Sequence, residues 1–543
     1  MWARGCGMNL LPPPALLGLP PKFDSWRRGQ DKAVLQALDS KQRAFLNCAP
    51  TGFGKTVCYV AQALLGGKRT AILTATKALE TQLVDDFTSC GLVDIRGKQN
   101  YTCRALLRGG EHEGQGITAG TGCDAGPCNV GAYCSLRNGG CGYYDQVRLA
   151  QKADLIVTNY SYWILSHIWS EGLGDFDLLV LDEAHEAADA LTQALEVEIS
   201  DFECRTVTGR AIPRGEDSND WKAWAQVTLR ALRARDARLG EEIEAGESAA
   251  FRERQRVRRL TSKVVTIATM EGPWVIERTA KGAKLTPVWV APYAEKCLFL
   301  DIPRLLFVSA TIRAKTLDML GVKTFDSEEQ PSSFPLDRRP VIYIPTVQVR
   351  HTWTEMEQRS WVNRIDQIID QRLDRKGVIH TVSYERRDLV LELSRHRDIM
   401  LANDSRDTEA TVARFRRMPP PAVLVSPSMT TGWDLPAEDC EYAIIAKIPF
   451  PDSRSRIIQT RQTDDVDYGP YVAMQTIVQA SGRGMRSAED QCEVLVIDDQ
   501  WKWFWPKYKH FAPRWFAAAV RYVHTIPSPL PKLKTKEKHH VPR

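Results

Sequence analysis

The stretch Ala49-Pro-Thr-Gly-Phe-Gly-Lys-Thr56 decides the fold. The apolar residues 43–48 before it predict a short buried strand, and residues 57–65 after it predict a helix. A strand, a glycine-rich turn and a helix in this order form a phosphate loop, because backbone N–H groups and the helix N-terminus converge on the turn. An ordinary turn that caps a helix is the alternative, and the elements on both sides disfavour it.

The residues of this turn have distinct expected roles. Thr51, Gly52 and Gly54 are expected to shape the phosphate cradle. Lys55 is expected to place a positive charge on the β- and γ-phosphates, and Thr56 to offer a hydroxyl to Mg²⁺. The sequence therefore predicts that ATP and Mg²⁺ bind here.

A second acidic motif, Asp182-Glu183-Ala184-His185, follows the predicted strand 178–181 directly. Asp182 at the end of a strand can hold Mg²⁺, and Glu183 can orient and activate the attacking water. A helix start favoured by acidic residues is the alternative. Its occurrence together with the phosphate loop favours the catalytic interpretation.

A third motif, Gln479-Ala-Ser-Gly-Arg-Gly-Met-Arg486, lies far along the chain. Arg483 and Arg486 are spaced to share one side of a helix. An arginine that reaches the γ-phosphate from a neighbouring domain stabilises charge in the transition state. A solvated helix face is the alternative, and the flanking Gln479 and Gly482 favour the catalytic role.

Short apolar runs without alternation recur along the chain and predict parallel strands that are covered on both faces. One group comprises residues 43–48, 70–74, 155–158, 178–181 and 305–308, and a later group comprises residues 377–380, 422–425, 442–446 and 494–497. The sequence thus predicts an α/β fold with two parallel-sheet units and a cleft between them.

The ordered set of motifs resembles superfamily 2 helicases of the XPD/DinG type, which carry an iron–sulfur cluster, over about residues 23–505. Further stretches that carry the resemblance are Trp26-Arg27-Arg-Gly-Gln30, Thr74-Ala-Thr76 with Gln82, Gly97-Lys-Gln-Asn-Tyr-Thr-Cys103, Val157-Thr-Asn-Tyr160, Ser309-Ala-Thr311, Gly432-Trp-Asp434-Leu-Pro436 and Lys447-Ile-Pro-Phe450.

The resemblance implies two RecA-like motor domains that bind ATP between them. It implies that Arg27 and Gln30 contact the adenine, and that Gly432, Asp434 and Gln479 belong to the nucleotide site. Thr431 and Trp433 depart from the usual residues, as does His380-Thr-Val-Ser-Tyr384, where aromatic residues are common. These departures concern contacts with DNA rather than ATP hydrolysis.

Five cysteines fall between residues 103 and 141 in a glycine-rich stretch without paired C-x-x-C knuckles. Thiolates suit zinc or iron–sulfur clusters, and the irregular spacing favours a [4Fe–4S] cluster. The resemblance makes Cys103 the first ligand and Cys141 the last. Cys128 and Cys134 are the expected middle pair, with Cys123 as the alternate.

The expected domains alternate along the chain. They are an irregular arm (1–22), a first motor domain (23–96, 148–194 and 276–330), an iron–sulfur domain (97–147), a short helical arch-like insert (195–275), a second motor domain (331–526) and a disordered basic tail (527–543). The arginine run 252–259 either lines a DNA pore beside the insert or forms a solvated helix face.

Composition excludes several classes. The chain of 543 residues is 43% hydrophobic and 26% charged, which is typical of a globular protein. Its net charge of +5 carries no strong signal for nucleic acid. No apolar run reaches the ~18 residues of a membrane-spanning helix, and prolines interrupt the apolar residues 10–19. We expect a cytoplasmic protein of a bacterial or phage-infected cell, or a nuclear one in a eukaryote.

The expected function is an ATP-dependent DNA helicase that moves 5′→3′ on single-stranded DNA by resemblance. Its expected partners are single strands and forked or overhang duplexes, no membrane, and no second copy of the chain. One alternative is a translocase or remodeller that unwinds weakly. The other is a non-catalytic, metal-binding DNA scaffold, which Lys55, Glu183 and the late arginines disfavour.

Overall fold

A computed structural model of the chain describes residues 11–107, 122–130, 132–170, 172–245, 248–403, 407–428, 435, 437–482, 484–485 and 490–532. Its β-strands are β1 Ala44–Cys48, β2 Thr70–Thr74, β3 Leu92–Asp94, β4 Leu155–Asn159, β5 Leu178–Asp182, β6 Val197–Ser200, β7 Trp274–Thr279, β8 Gly282–Pro287, β9 Arg304–Ser309, β10 Phe325–Glu329, β11 Val341–Val347, β12 Lys376–His380, β13 Met400–Ala402, β14 Ala422–Ser426, β15 Tyr442–Ile445, β16 Glu493–Asp498 and β17 Val520–Tyr522.

The α-helices are α1 Gln30–Asp39, α2 Lys55–Gly66, α3 Lys77–Phe87, α4 Arg104–Leu107, α5 Gly142–Lys152, α6 Tyr160–Trp169, α7 Ala187–Leu195, α8 Asp201–Thr208, α9 Ser218–Glu244, α10 Ser248–Ala268, α11 Ala291–Ala294, α12 Ala314–Met319, α13 Glu355–Asp370, α14 Tyr384–Leu393, α15 Thr408–Arg417, α16 Arg456–Asp464, α17 Tyr468–Gly482, α18 Trp501–Tyr508 and α19 Arg514–Ala517.

The first domain is built on a seven-stranded parallel sheet in the order β10-β1-β9-β5-β2-β4-β3. Its central strands are short and apolar because helices cover both faces of the sheet. The order makes β1, β9 and β5 neighbours. The segments that follow these three strands therefore meet at the carboxyl ends of the strands.

The second domain is built on another seven-stranded parallel sheet, in the order β13-β14-β12-β15-β16-β11-β17. Helix α17 follows β15 and precedes β16, and it is buried along much of its length. The prediction of an α/β fold with two parallel sheets is confirmed. Strands β3, β10, β11, β13 and β17 were not predicted, because they lie at or near the sheet edges and carry weak apolar patterns.

Between β5 and β9 the chain forms an insert on the first domain. Helices α8, α9 and α10 supply the predicted helical part. An antiparallel sheet in the order β6-β8-β7 joins it, and β8 lies beyond residue 275. Arg254 and Arg258 of the arginine run pair with Asp236 on α9, at 3.1 and 3.0 Å. These two arginines thus hold α10 against α9.

Both termini of the described chain pack on the domains. Leu19 is buried in the core of the first domain, and the indole of Trp26 donates a hydrogen bond to the Pro12 carbonyl at 2.8 Å. Residues 527–532 follow the second domain, where Arg372 and Gln491 donate to the carbonyls of Pro527 and Pro531. The expectation of a disordered tail over residues 527–543 is thus wrong for residues 527–532, and residues 533–543 lie outside the described part. None of the described helices is both long and apolar enough to cross a membrane.

Candidate nucleotide cleft and cysteine cluster

The phosphate loop joins β1 to α2 and depends on two glycines with positive φ. Gly52 has φ 75° and Gly54 has φ 80°, which side chains rarely adopt. A Cβ on Gly52 would lie 2.2 Å from Cζ of Phe334, and a Cβ on Gly54 would lie 2.4 Å from Nε2 of Gln30. Both positions therefore require glycine for conformation, and Gly52 requires it for space as well, because the ring of Phe334 lies against it.

Arg27 and Gln30 brace the loop from outside. Arg27 donates a hydrogen bond to the carbonyl of Gly52 at 3.0 Å. The Gln30 amide donates to the carbonyl of Phe53 at 2.8 Å, and its oxygen accepts from the Arg27 N–H. The two residues implied to contact adenine thus lie directly against the phosphate loop.

The acidic motif follows β5 and faces the loop. Lys55 Nζ lies 3.1 Å from Glu183 Oε1, and Ser309 at the end of β9 donates to Glu183 Oε2 at 3.1 Å. Glu183 has φ 48°, an uncommon conformation for a residue with a side chain. The ends of three neighbouring strands therefore converge on this one carboxylate.

His185 connects the acidic motif to the second domain. Its Nδ1 lies 2.8 Å from Ser309 Oγ, and its Nε2 contacts the side chain of Gln479 on α17. At the end of α17, a Cβ on Gly482 would lie 3.0 Å from the hydroxyl of Thr51. The third motif thus meets both the phosphate loop and the acidic motif across the cleft.

The pKa values of Lys55 and Glu183 shift in the directions that favour an ion pair between them. Burial opposes the charge of Glu183, but Lys55 and His185 outweigh burial and lower its pKa to about 2. Burial likewise opposes the charge of Lys55, and Glu183 and Asp182 outweigh it and raise its pKa. Burial and the charge of Glu183 raise the pKa of Asp182 to about 6. Lys55 and Glu183 are therefore both charged at neutral pH.

Asp182 offers a free carboxylate oxygen. Its Oδ2 accepts a hydrogen bond from Tyr59 at 3.3 Å, and Tyr59 is also hydrogen-bonded to Thr56. Its Oδ1 is buried and has no hydrogen-bond partner among the described residues. A carboxylate and a hydroxyl beside one another fit Mg²⁺, which prefers oxygen ligands.

Four predicted site residues, Arg483, Arg486, Gly432 and Asp434, lie outside the described residues. Two described residues at the site were not predicted. Tyr59 lies one helical turn after Lys55 and Thr56, so helical spacing could have indicated it. Phe334 reaches Gly52 from the connection between the two domains, and no local pattern indicates that contact.

The five cysteines of the predicted cluster are Cys103, Cys123, Cys128, Cys134 and Cys141, and none of them forms a disulfide. Burial and the neighbouring thiols of Cys141 and Cys103 raise the pKa of Cys123 to about 12. A Cβ on Gly126 would lie 3.0 Å from the sulfur of Cys103 and 3.8 Å from that of Cys128. Burial raises the pKa of Cys128, and the nearby thiol of Cys134 also raises it.

The thiols of this cysteine cluster lie in one region, but they do not have the arrangement of a complete metal site. No three His, Cys, Asp or Glu side chains in the described part of the chain are placed to hold a metal ion. The donor set is nevertheless all thiol, and the missing Cβ of Gly126 leaves room between two of the sulfurs. This set fits an iron–sulfur cluster better than a hard cation.

A groove of about 860 Å³ runs between the cysteine-rich region and the first domain. Lys77, Lys98 and Asn100 line one part of it, and Tyr162 and Trp169 of α6 line another. The aromatic residues of α6 differ in exposure. Tyr160 and Trp163 are buried, whereas Trp169 is 41% exposed.

Comparisons with known proteins agree with this geometry. A family model described as DEAD/DEAH box helicase matches residues 27–115, the DEAD_2 model matches residues 132–203, and a model described as helicase C-terminal domain matches residues 368–519. No curated protein matches the sequence.

Solved structures of similar fold include "XPD_Helicase", with a TM-score of 0.58 at 17% identity over 91% of this chain and 98% of that one. They also include "Structure of S. tokodaii Xpd4", with a TM-score of 0.56 at 16% identity over 92% of this chain and 100% of that one. The matches to helicase domain models support an ATP-dependent helicase of superfamily 2. Within that superfamily, the chain has the fold of the XPD/DinG type.

Proposed function

We propose that the chain is an ATP-dependent DNA helicase that moves 5′→3′ along a single strand and separates duplex DNA ahead of it. The observation that carries this proposal is the continuous polar path from Lys55 through Glu183, Ser309 and His185 to Gln479. The path joins the phosphate loop of one domain to α17 of the other. A change at the phosphates can therefore alter how the two domains meet.

Binding of ATP would change which groups on this path contact one another. The phosphates of ATP compete with Glu183 for Lys55, because Lys55 is the partly buried cation of the loop. Release from Lys55 frees Glu183 to orient the attacking water and accept its proton. Ser309 and His185 hold that carboxylate in place. When bound, Mg²⁺ would neutralise charge on the phosphates, with Thr56 and Asp182 as its protein ligands.

Arg483 and Arg486 complete the proposed site. They follow Gly482, which approaches Thr51 of the phosphate loop. An arginine at this point would stabilise negative charge that develops on the transferred phosphoryl group. Gly432 and Asp434 are proposed to join the site from the same domain, as the resemblance implies.

The groove beside α6 is the proposed path of the strand. Lysine and asparagine side chains suit phosphate and sugar contacts, and exposed aromatic rings suit stacking on bases. Trp169, at the end of α6, is the exposed ring. Because α7 also lines the groove and begins just after the acidic motif, the strand and the nucleotide would share one element.

The cysteine cluster is proposed to hold a [4Fe–4S] cluster that keeps this region ordered beside the groove. Cys103 and Cys141 are proposed ligands, together with Cys128. The contacts of Cys123 with Cys141 and Cys103 favour it as the fourth ligand. Cys134, which is near Cys128, is the alternative that the sequence alone favoured.

A second activity is favoured by one observation, the small size of the insert, which consists of α8–α10 and a three-stranded sheet. A protein with so small an insert would translocate and strip bound proteins without separating strands efficiently. The same assay distinguishes the two functions.

The test measures ATP hydrolysis and strand separation on the same preparation. We expect single-stranded DNA to stimulate ATPase, and a duplex with a 5′ overhang to be opened while a 3′ overhang is not. Stimulated ATPase with displacement of a bound protein, but without strand separation, would favour the translocase. No stimulation by any nucleic acid would contradict both functions and favour the scaffold.

Iron and zinc are measured on protein purified without oxygen, with C123S, C134S and the control C90S. We expect about four irons per chain and a broad absorbance near ~400 nm in the unaltered protein and C90S. We expect C123S to lose iron and C134S to retain it. The reverse result would restore Cys134 as ligand, and a single zinc without iron would exclude the cluster.

A further inference from the structure

One face of α17 lies against the first domain. Along it, Tyr471 OH lies 2.6 Å from Thr316 Oγ1 of α12, Gln475 donates to Tyr471 OH at 2.9 Å, and Gln479 contacts His185. Spacings of four residues place these side chains on one side of the helix. The first residue of α17, Tyr468, continues the same stripe three residues earlier.

At that end of α17, the buried side chain of Arg461 joins three separate parts of the molecule. Arg461 belongs to α16 of the second domain and is only 7% exposed. Its Nη1 donates to Tyr468 OH at 3.0 Å, its Nη2 to Thr192 Oγ1 of α7 at 3.1 Å, and its Nε to the Val288 carbonyl at 2.8 Å. Val288 directly follows β8 of the insert.

Two aromatic rings flank the same guanidinium. Its carbon lies 5.7 Å from the centre of the Trp289 ring and 5.5 Å from that of Tyr468. A carboxylate oxygen of Asp189 on α7 lies 3.9 Å from Nη1 of Arg461. A buried cation is costly unless its donors are satisfied, so these directed contacts constrain the position of α16 closely.

The contacts of Arg461 bear on the ATPase because α7 begins just after the acidic motif. Helix α7 spans Ala187–Leu195, and the acidic motif ends at His185. Helix α17 is thus tied to this segment at both of its ends: Gln479 contacts His185 just before α7, and Tyr468 accepts a hydrogen bond from Arg461, which also donates to Thr192 of α7. Tyr471 and Gln479 attach the middle and the end of α17 to the first domain, and Arg461 adds the attachment at its start, which fixes the direction of the helix.

We propose that Arg461 is a positioning residue of the ATPase, which fixes α17 on α7 so that the end of α17 meets the phosphate loop in register. This inference rests on the proposed function, since it assigns a role within ATP hydrolysis. Arg461 lies outside the nucleotide site and acts through α17. Its loss should therefore slow the chemical step and leave the binding of ATP nearly unchanged.

The experiment compares R461A, R461K and T192V with the unaltered chain and with R454A. Arg454 is the matched control, because it is an exposed arginine that pairs with Asp452 within the same connection. T192V removes one acceptor of Arg461 without altering its charge. For each variant, kcat and KM for ATP are measured at saturating single-stranded DNA, along with the fraction of chains that bind an ATP analogue.

We expect R461A to lower kcat at least tenfold with less than a twofold change in KM. R461K should recover little, because the three acceptors are reached from three separate nitrogens of the planar guanidinium, and the single nitrogen of lysine cannot occupy all three positions. T192V should lower kcat severalfold, and the double variant R461A/T192V should be no slower than R461A alone. R454A should match the unaltered chain.

Three results would overturn the proposal. They are an unchanged kcat in R461A, a loss of kcat that only follows the loss of analogue-binding chains, and independent effects of R461A and T192V. If R461A does not fold, R461K and T192V carry the same comparison.

Small-angle X-ray scattering supplies a readout that needs no hydrolysis. We expect R461A or R461K to have a larger radius of gyration than R454A, and an equal radius would overturn the proposal. If the unaltered chain hydrolyses no ATP, the proposed function fails, and scattering still decides whether Arg461 holds the two domains together.

Discussion

The nucleotide cleft and the cysteine-rich region both bring side chains together at a candidate ligand site, but different structural elements position those side chains. In the cleft, Lys55, Glu183 and Ser309 follow neighbouring strands of one sheet and already contact one another. In the cysteine-rich region, short 3₁₀ turns such as Cys123–Ala125 and Pro127–Val130 carry thiols. The hydrogen bonds of the sheet therefore position the cleft residues before any ligand binds. The positions of the cysteines, in contrast, depend on the group that they bind.

The largest expected effect falls on the cleft alone. K55A removes the partly buried cation of the phosphate loop and should lower the ATPase rate about a hundredfold or more. The iron content and the circular dichroism spectrum should stay unchanged. Steady-state ATPase measurements check this, with the exposed Lys68 as the matched control in K68A. A rate within tenfold of the unaltered chain would contradict the assigned role of Lys55.

The next effect falls on the cysteine-rich region alone. Removal of the proposed iron–sulfur cluster with a chelator should raise hydrogen exchange over residues 97–107 and 122–152, because weak turns are left to hold the thiols. Exchange in β1, β5 and β9 should not change, and an ATP analogue should still bind. Exchange that rises equally in both regions would show that the two regions are not independent.

A third effect tests how closely the cleft is packed. G52A places a side chain at φ 75° and 2.2 Å from Phe334, whereas G67A has φ 54° and no atom within 4 Å of its Cβ. We expect G67A to cost about 1 kcal/mol of unfolding free energy, the conformational part alone. G52A should cost about 2–4 kcal/mol, since packing against Phe334 is also disturbed. Urea denaturation measures both, and equal losses would contradict the close contact.

The smallest effect concerns the border of the two regions. Glu80 on α3 is buried, and Arg96, which leads toward Cys103, lies 3.4 Å from its carboxylate. Burial, opposed by Arg96 and reinforced by Asp94, raises the pKa of Glu80 to about 7. The folded chain therefore keeps a proton that the unfolded chain has released between about pH 4.5 and pH 7.

The direction in which stability changes with pH follows from that proton. Stability contributed by Glu80 is greatest below the unfolded pKa and falls as the pH rises toward 7. E80Q removes this dependence, so the unaltered chain should lose about 2 kcal/mol relative to E80Q between pH 5 and pH 8. Denaturation at several pH values checks this. A difference that does not vary with pH would contradict the raised pKa.

Much of the fold was predictable because buried parallel strands have a simple pattern. Each predicted strand of the first sheet overlaps an observed one, for example residues 70–74 with β2 and residues 305–308 with β9. The small antiparallel sheet was not predicted. Strand β6 alternates in burial, and β8 contains glycine and lysine, so neither has a continuous apolar run.

The sequence by itself determined the α/β class, the two sheets and which polar residues follow their strands into the cleft. Those properties depend on local patterns, such as an apolar run before a glycine turn or an acid after a strand. Only the tertiary structure decided that Phe334 fits against Gly52, that Cys123 lies beside Cys141 and Cys103, and that Arg461 joins α16 to α7 and the insert. These contacts join residues far apart in the chain, and their geometry depends on how the domains pack rather than on any local pattern.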